Sequence, residues 1–243
     1  MCYVFVVLVG LFVVAVVHTL KYKDAPRIFL YHNVSDTEVS VKTNISSLKF
    51  EQHVLTLKKL NYSFHKMSEL FEGNRDKEKR AFITFDDGMV ELFYNVFPIL
   101  KKHNVKATIY TCKSITGKKL LSPEQIKIMH ESGLIEFGSH TLNHINMCEY
   151  SNSIVSKDLK ESKKFIENIT NVPCTTFAYP YGKYKPSHLK LLNDAGYDTA
   201  VIIGKRLENY DSMRKYEIPR IEPRGNMNNI QFLILILLGK YKI

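Results

Sequence analysis

The chain has 243 residues, of which 45% are hydrophobic and 24% charged, a composition that excludes a disordered or low-complexity chain and suits one α/β domain with a full core. Its formal net charge of +10 comes from lysines and arginines scattered through every segment. With no arginine stripe or nucleic-acid motif, the charge reads as a solvated basic surface and nucleic acid is not the expected partner; if the charge has a target, anionic lipid head groups or an acidic glycan suit it better.

Residues Tyr3 to Val17 form an unbroken apolar or small run that reaches, through Leu20, roughly the 20 residues a spanning helix needs. The run lacks a basic n-region and an Ala-x-Ala site, so it reads as an uncleaved anchor over residues 1–22 rather than a cleaved signal peptide. The domain then occupies residues 23–243. Lys21, Lys23 and Arg27 follow the run and pull the domain toward the cytoplasm by the positive-inside rule, yet long domains cross despite such flanks. An extracytoplasmic domain is expected, with the side left open by these residues.

Arg27 to Val34 reads as a buried strand. Leu48 to Leu60 follows as a helix with Phe50, Val54, Leu57 and Leu60 at helical spacing. Ala81 to Phe85 is the next strand, Val90 to His103 a helix, and Lys106 to Thr111 extended. Ser122-Pro123-Glu124-Gln125 opens a helix with an N-cap serine, proline in the first turn and glutamine three residues on. Leu134 to Ser139 is a strand, Ser153 to Ile169 a long amphipathic helix, and Thr175 to Tyr179 extended. Pro186 starts a helix that Gly196 stops, and Tyr197 to Ile203 and Ile218 to Ile221 are further strands. Ile230 to Leu238 is a last apolar helix, too short to span a bilayer. Strands alternating with helices imply parallel pairing, and six or seven such units can close into a barrel. The four cysteines, Cys2, Cys112, Cys148 and Cys174, lie far apart without a Cys-x-x-Cys pair, so they read as small apolar residues rather than zinc ligands or disulfides.

Catalytic residues of α/β barrels gather at the C-terminal ends of strands. Here four motifs fall at such ends: His32, the pair Asp86-Asp87, the pair His140 and His144, and Tyr179-Pro180-Tyr181-Gly182. Adjacent carboxylates repel, so a site holding both needs a cation or a shifted pKa. Two carboxylates and two imidazoles suffice to hold one divalent metal and activate its water.

In this order the motifs resemble the polysaccharide deacetylases with a NodB homology domain, carbohydrate esterase family four. Thr84-Phe85-Asp86-Asp87-Gly88 matches the first motif and His140-Thr141-Leu142-Asn143-His144 the second, and the resemblance covers about Arg27 to Arg224. It implies a distorted (β/α) barrel of about seven strands. It also implies Asp87, His140 and His144 as ligands of a divalent metal, Zn²⁺ first among them, and Asp86 as the catalytic base. Phe177 to Gly182 is similar to the third motif, in which the N–H after the proline faces the developing oxyanion; this implies Tyr181 as donor.

Three departures qualify the match. Ala178 stands where most members carry a base-orienting arginine, there is no tryptophan, and no histidine follows His188 to serve as the C-terminal acid. Deacetylases of biofilm poly-N-acetylglucosamine share the Phe-Ala-Tyr-Pro-Tyr-Gly motif and a Tyr-His-x-Val start, matched by Tyr31 to Val34, with the acid moved to that histidine. His32 is thereby implied as the general acid. Arg220 is the candidate to replace the missing arginine, Asp198 a remnant of the fourth motif, and Tyr179 or Tyr181 a ring lining the sugar groove; Tyr179, Arg220 and Asp198 form the expected substrate side of the site.

The activity implied is metal-dependent hydrolysis of the N-acetyl group of N-acetylhexosamine residues in a glycan by a membrane-anchored monomer. A deacetylase or deformylase of a lipid-linked amino sugar is the alternative within the enzyme class. A glycan-binding protein of the same fold without turnover is the alternative outside it.

Overall fold

The computed structural model describes residues 16–37, 43–73, 75 and 78–240. Residues 1–15 of the anchor expected over residues 1–22 lie outside them. Residues 16–21 are helical, and among the described residues no helix is long and apolar enough to cross a membrane.

The strands are β1 (Arg27–Tyr31), β2 (Asn33–Val34), β3 (Asn44–Ile45), β4 (Tyr62–His65), β5 (Lys79–Phe85), β6 (Ala107–Thr111), β7 (Ile135–Ser139), β8 (Thr176–Ala178), β9 (Thr199–Ile202) and β10 (Ile218–Pro219). Seven of them run parallel in the order β1, β5, β6, β7, β8, β9, β10, with β4 paired to the start of β5. The ring nearly closes, because Ile221 accepts from the Leu30 N–H and donates to the Ile28 carbonyl, both at 2.8 Å. This is the expected barrel. β2 and β3 pair separately, so the single strand expected over residues 27–34 is broken at His32, where the chain leaves the barrel rim. β3 and β4 are too short or too polar to stand out in the sequence.

Alternation along the strands divides the core into two. Ile28, Phe82, Tyr110, Ala178, Val201 and Ile218 point inward and fill the barrel. Phe29, Ile83, Ile109 and Phe177 point outward under the helices. Each such side chain contributes about 1.5–3 kcal/mol on burial. Gly138 of β7 makes room inside, since a Cβ there would collide with the Tyr110 ring.

The outer helices are α1 (Ser47–Lys59), α2 (Phe97–His103), α3 (Pro123–Glu131), α4 (Asn152–Thr170), α5 (Pro186–Asp194) and α6 (Asn229–Leu238). The capping box expected at Ser122 is formed: the Gln125 N–H donates to Ser122 Oγ at 3.2 Å and the Ser122 N–H to Gln125 Oε1 at 2.9 Å. The continuous helix expected over residues 90–103 is instead a wide π-turn over Leu92–Val96 followed by α2. Pro98 has no N–H to donate to Tyr94, so a regular ladder cannot run through this point. α6 buries Phe232, Leu235 and Ile236 and lays Phe232 on Phe29 with ring centroids 5.8 Å apart. The described cysteines are free; Cys112 and Cys174 are buried and Cys148 is half-buried.

Candidate active site and metal centre

The rim at the C-terminal ends of the strands collects His32 after β1, Asp86 and Asp87 after β5, His140 after β7 and Pro180 and Tyr181 after β8. Parallel register does this: Tyr31 lies opposite Phe85, so His32 and Asp86 leave adjacent strands at one level. The Asp86 N–H donates to the Tyr31 carbonyl at 2.9 Å.

Asp86 is buried, at 2% exposure. Arg220, wholly buried, grips it with two parallel hydrogen bonds, Nη1 to Oδ1 at 2.6 Å and Nη2 to Oδ2 at 2.7 Å. The guanidinium also donates to Thr84 Oγ1 at 3.0 Å and lies over the Tyr110 ring at 5.6 Å. Arg220 points inward because Ile218, two residues earlier, does so. Burial would raise the Asp86 pKa, but Arg220, with His140 and His32, lowers it below the ordinary carboxylate value. Arg220 therefore orients the buried carboxylate and, beneath it, has no access to a sugar.

Asp87 turns the other way. Its Oδ1 lies 3.5 Å from His140 Nε2 and 3.3 Å from His144 Nε2, and one ligand atom from each of the three residues lies within 4.8 Å of the others. Burial opposes ionisation of Asp87, yet the two imidazoles and His32 hold its pKa far below the usual range. The two carboxylates likewise raise the His140 pKa although burial acts to lower it. His140 Nδ1 is 2.8 Å from the Ala178 carbonyl. A carbonyl only accepts, so Nδ1 carries the hydrogen, and Nε2 of the neutral ring presents its lone pair to the cluster. Two imidazole nitrogens and a carboxylate oxygen around one point fit a divalent cation of the zinc type with positions to spare.

The backbone is forced into shape here. Asp87, Thr141, His144 and Tyr181 adopt φ of 72°, 62°, 52° and 60°, the left-handed region, which costs a non-glycine residue about 1–3 kcal/mol. Elsewhere among the described residues this region is taken by Asn61, Asn104, Asn171 and Lys205; asparagine, aspartate and histidine enter it more readily, whereas the β-branched Thr141 and the bulky Tyr181 do so at a cost. Gly88 has φ +71°, and a Cβ there would collide with the Thr111 side chain, which explains the third residue of Asp-Asp-Gly. The loop bearing His144 is tied down by Leu142 N–H to Asp158 Oδ1 at 3.0 Å, Lys113 N–H to the Leu142 carbonyl at 2.7 Å and Ile145 N–H to Thr141 Oγ1 at 3.0 Å. Thr84, which opens the first motif, and Asp158 support the site from behind, and no sequence motif marks Asp158.

His32 is half-buried and close enough to both aspartates to bear on their ionisation. Tyr181 is 56% exposed, with its hydroxyl 3.1 Å from His144 Nδ1. A cleft of about 530 Å³ opens beside these two, lined also by Asn143, Asn146, Glu149 and Tyr150.

Two expected substrate residues lie elsewhere. Tyr179 is 1% exposed, stacks on Tyr184 and donates its hydroxyl to the Tyr216 carbonyl at 3.0 Å; alternation after Ala178 turns it outward under the helices. Asp198 is exposed and precedes Thr199, the first residue of β9, so it sits at the opposite end of the barrel. His188 is buried in α5, where Nδ1 accepts from the Lys185 N–H at 3.1 Å.

Residues 73–200 match the family model described as polysaccharide deacetylase. Over 179 residues the chain is 31% identical to YxkH of Bacillus subtilis (strain 168), provisionally named a polysaccharide deacetylase, covering 72% of this chain and 63%, less than two thirds, of that protein. It is 27% identical over 210 residues to the poly-β-1,6-N-acetyl-D-glucosamine N-deacetylase of Staphylococcus aureus (strain MSSA476), covering 79% of this chain and 72% of that one. Among solved structures, the Streptococcus pyogenes deacetylase PplD in complex with acetate superposes with a TM-score of 0.78 at 24% identity, over 88% of this chain and 98% of that chain. With the family model spanning more than half of its length, the chain belongs to the polysaccharide deacetylase family.

Proposed function

We propose that this protein hydrolyses the N-acetyl group of N-acetylhexosamine residues in a polysaccharide, releasing acetate and leaving a free amine. The observation that carries the reading is the division of the Asp-Asp pair: one carboxylate clamped by Arg220 and the other facing two imidazoles across a few ångströms. Asp87, His140 and His144 hold a divalent cation, Zn²⁺ in our reading. When bound, the cation supplies a Lewis acid and a water of lowered pKa.

Asp86, kept ionised and aimed by Arg220, accepts the proton of the attacking water. The Tyr181 main-chain N–H donates to the oxygen on which negative charge develops. His32, across the rim, protonates the leaving amine. The sugar chain occupies the cleft beside His144 and Tyr181. The likeness to the staphylococcal enzyme favours a poly-N-acetylglucosamine-type substrate. The apolar run within residues 1–22 tethers residues 23–243, a monomer, to a membrane on its outer side, where such a glycan is met.

Acetate release from a panel of N-acetylated glycans and lipid-linked amino sugars, before and after chelation and zinc return, tests this reading. Release from poly-N-acetylglucosamine that stops with chelator and returns with zinc is expected. Turnover only of the lipid-linked sugars, or turnover indifferent to chelator, would overturn it.

A further inference from the structure

We infer that Tyr181 also acts through its side chain, as a positioning residue that holds His144 in the ligating orientation; the inference rests on the metal centre proposed above. Both imidazoles of that centre direct Nε2 at Asp87 and have Nδ1 engaged. For His140 the partner is the Ala178 carbonyl. For His144 it is the Tyr181 hydroxyl, whose oxygen accepts an Nδ1–H as readily as a carbonyl does. Both partners come from one short segment at the end of β8, three residues apart.

The Tyr181 ring meets the His144 ring edge-on, with centroids 4.6 Å apart and planes at 65°. A tyrosine 56% exposed does little for the core, so this contact accounts for where its ring lies. His144 sits on a left-handed turn, and the Tyr181 hydroxyl opposes rotation of its ring. Tyr181 is itself left-handed, and the hydroxyl contact ties that turn to a metal ligand. The N–H proposed to meet the reacting carbonyl and the grip on the metal therefore share one residue.

Tyr181→Phe removes the hydroxyl and keeps the ring and the main-chain N–H. Zinc affinity of the full chain in detergent, read by competition with a chromophoric chelator, should fall about tenfold, the lower end of what an outer-shell partner contributes. Tyr150→Phe, in the same cleft without a contact to a ligand, should bind as wild type does, and His144→Ala should lose stoichiometric binding. The melting temperature of metal-free Tyr181→Phe should match metal-free wild type. Equal zinc affinity in Tyr181→Phe and wild type overturns the inference while leaving the centre intact. A matching fall in metal-free stability overturns it by showing a general structural role. Absence of zinc binding in wild type removes the centre itself and the inference with it.

Discussion

Two histidines of this barrel are equally buried, at 2% exposure each, and behave in opposite ways. His53, on α1, stacks on Phe232 at 3.7 Å and contacts the Tyr31 hydroxyl at 3.2 Å; burial, with the Lys49 charge adding to it, pushes its pKa down to about 3. His140, at the rim, has its pKa raised because Asp86 and Asp87 outweigh the same desolvation. Burial makes a histidine neutral and inert by default. Since Arg220 already pairs Asp86, the surplus negative charge at the rim lies on Asp87, beside two imidazoles that can act as ligands, and that is the setting a divalent cation would neutralise; the wall around His53 has no such charge.

The largest effects should come from removing that cluster. His140→Ala or Asp87→Ala should lose both bound metal and activity, measured by elemental analysis and acetate release, whereas His53→Phe should keep both. Stoichiometric metal in His140→Ala would erase the distinction. The two aspartates sharpen it further: Asp86→Asn should retain metal and lose about 10²–10⁴ in rate, the usual weight of a positioned base. If Asp86→Asn empties the site instead, the two carboxylates have exchanged roles.

His32→Ala should likewise keep metal and lose about 10²–10⁴ in rate. Wild type should show a bell-shaped pH profile whose alkaline limb disappears in this variant, and a substrate with an electron-poor leaving amine should reduce the loss. An unchanged limb would leave the acid unassigned, and burial of His188 inside α5 makes it a poor substitute.

The core histidine yields a stability effect with a definite sign. Because the folded pKa of His53 lies below its unfolded value, the unfolded chain binds the extra proton. Stability is then fully present above about pH 6.5 and is lost as pH falls toward 3, by up to about 5 kcal/mol. His53→Phe should remove that part of the acid sensitivity, visible as a flatter denaturation midpoint between pH 6.5 and 4. Equal acid slopes in the two proteins would contradict it.

The smallest expected effect concerns Asp158, whose pKa burial raises to about 6. A raised carboxyl favours the protonated fold, so its contribution is complete below about pH 4 and lost as pH rises through 6. Asp158→Asn keeps an acceptor for the Leu142 N–H. It should therefore stabilise the protein by about 1 kcal/mol at pH 8 and not at pH 4, the rough scale of a partly screened shift. Asp158→Ala removes the acceptor and should lower metal affinity through the loop that carries His144.

Most of the barrel was legible because each strand is a short buried run and each helix carries a cap or an apolar stripe. Ser122-Pro123, Gly196 and the spacing of Phe50, Val54 and Leu57 mark their elements without any tertiary information. The break at His32 and the π-turn before α2 were not marked, since one depends on which strands pair and the other on where Pro98 interrupts a ladder. β3 and β4 gain their status only from partners distant in the chain.

The sequence by itself determined which chemistry is present: carboxylates and imidazoles in motifs that fall at strand ends, and an arginine, Arg220, in the last expected strand. Tertiary structure alone decided which groups meet. Arg220 reaches Asp86 across 134 positions because the barrel brings the end of β10 back to β1. Tyr179 and Asp198 leave the site because side-chain alternation and strand direction, properties of the closed sheet, send them outward and to the far end. Local patterns encode each residue's element and face, but convergence on one point is set by register and closure, and these are energies of the whole fold.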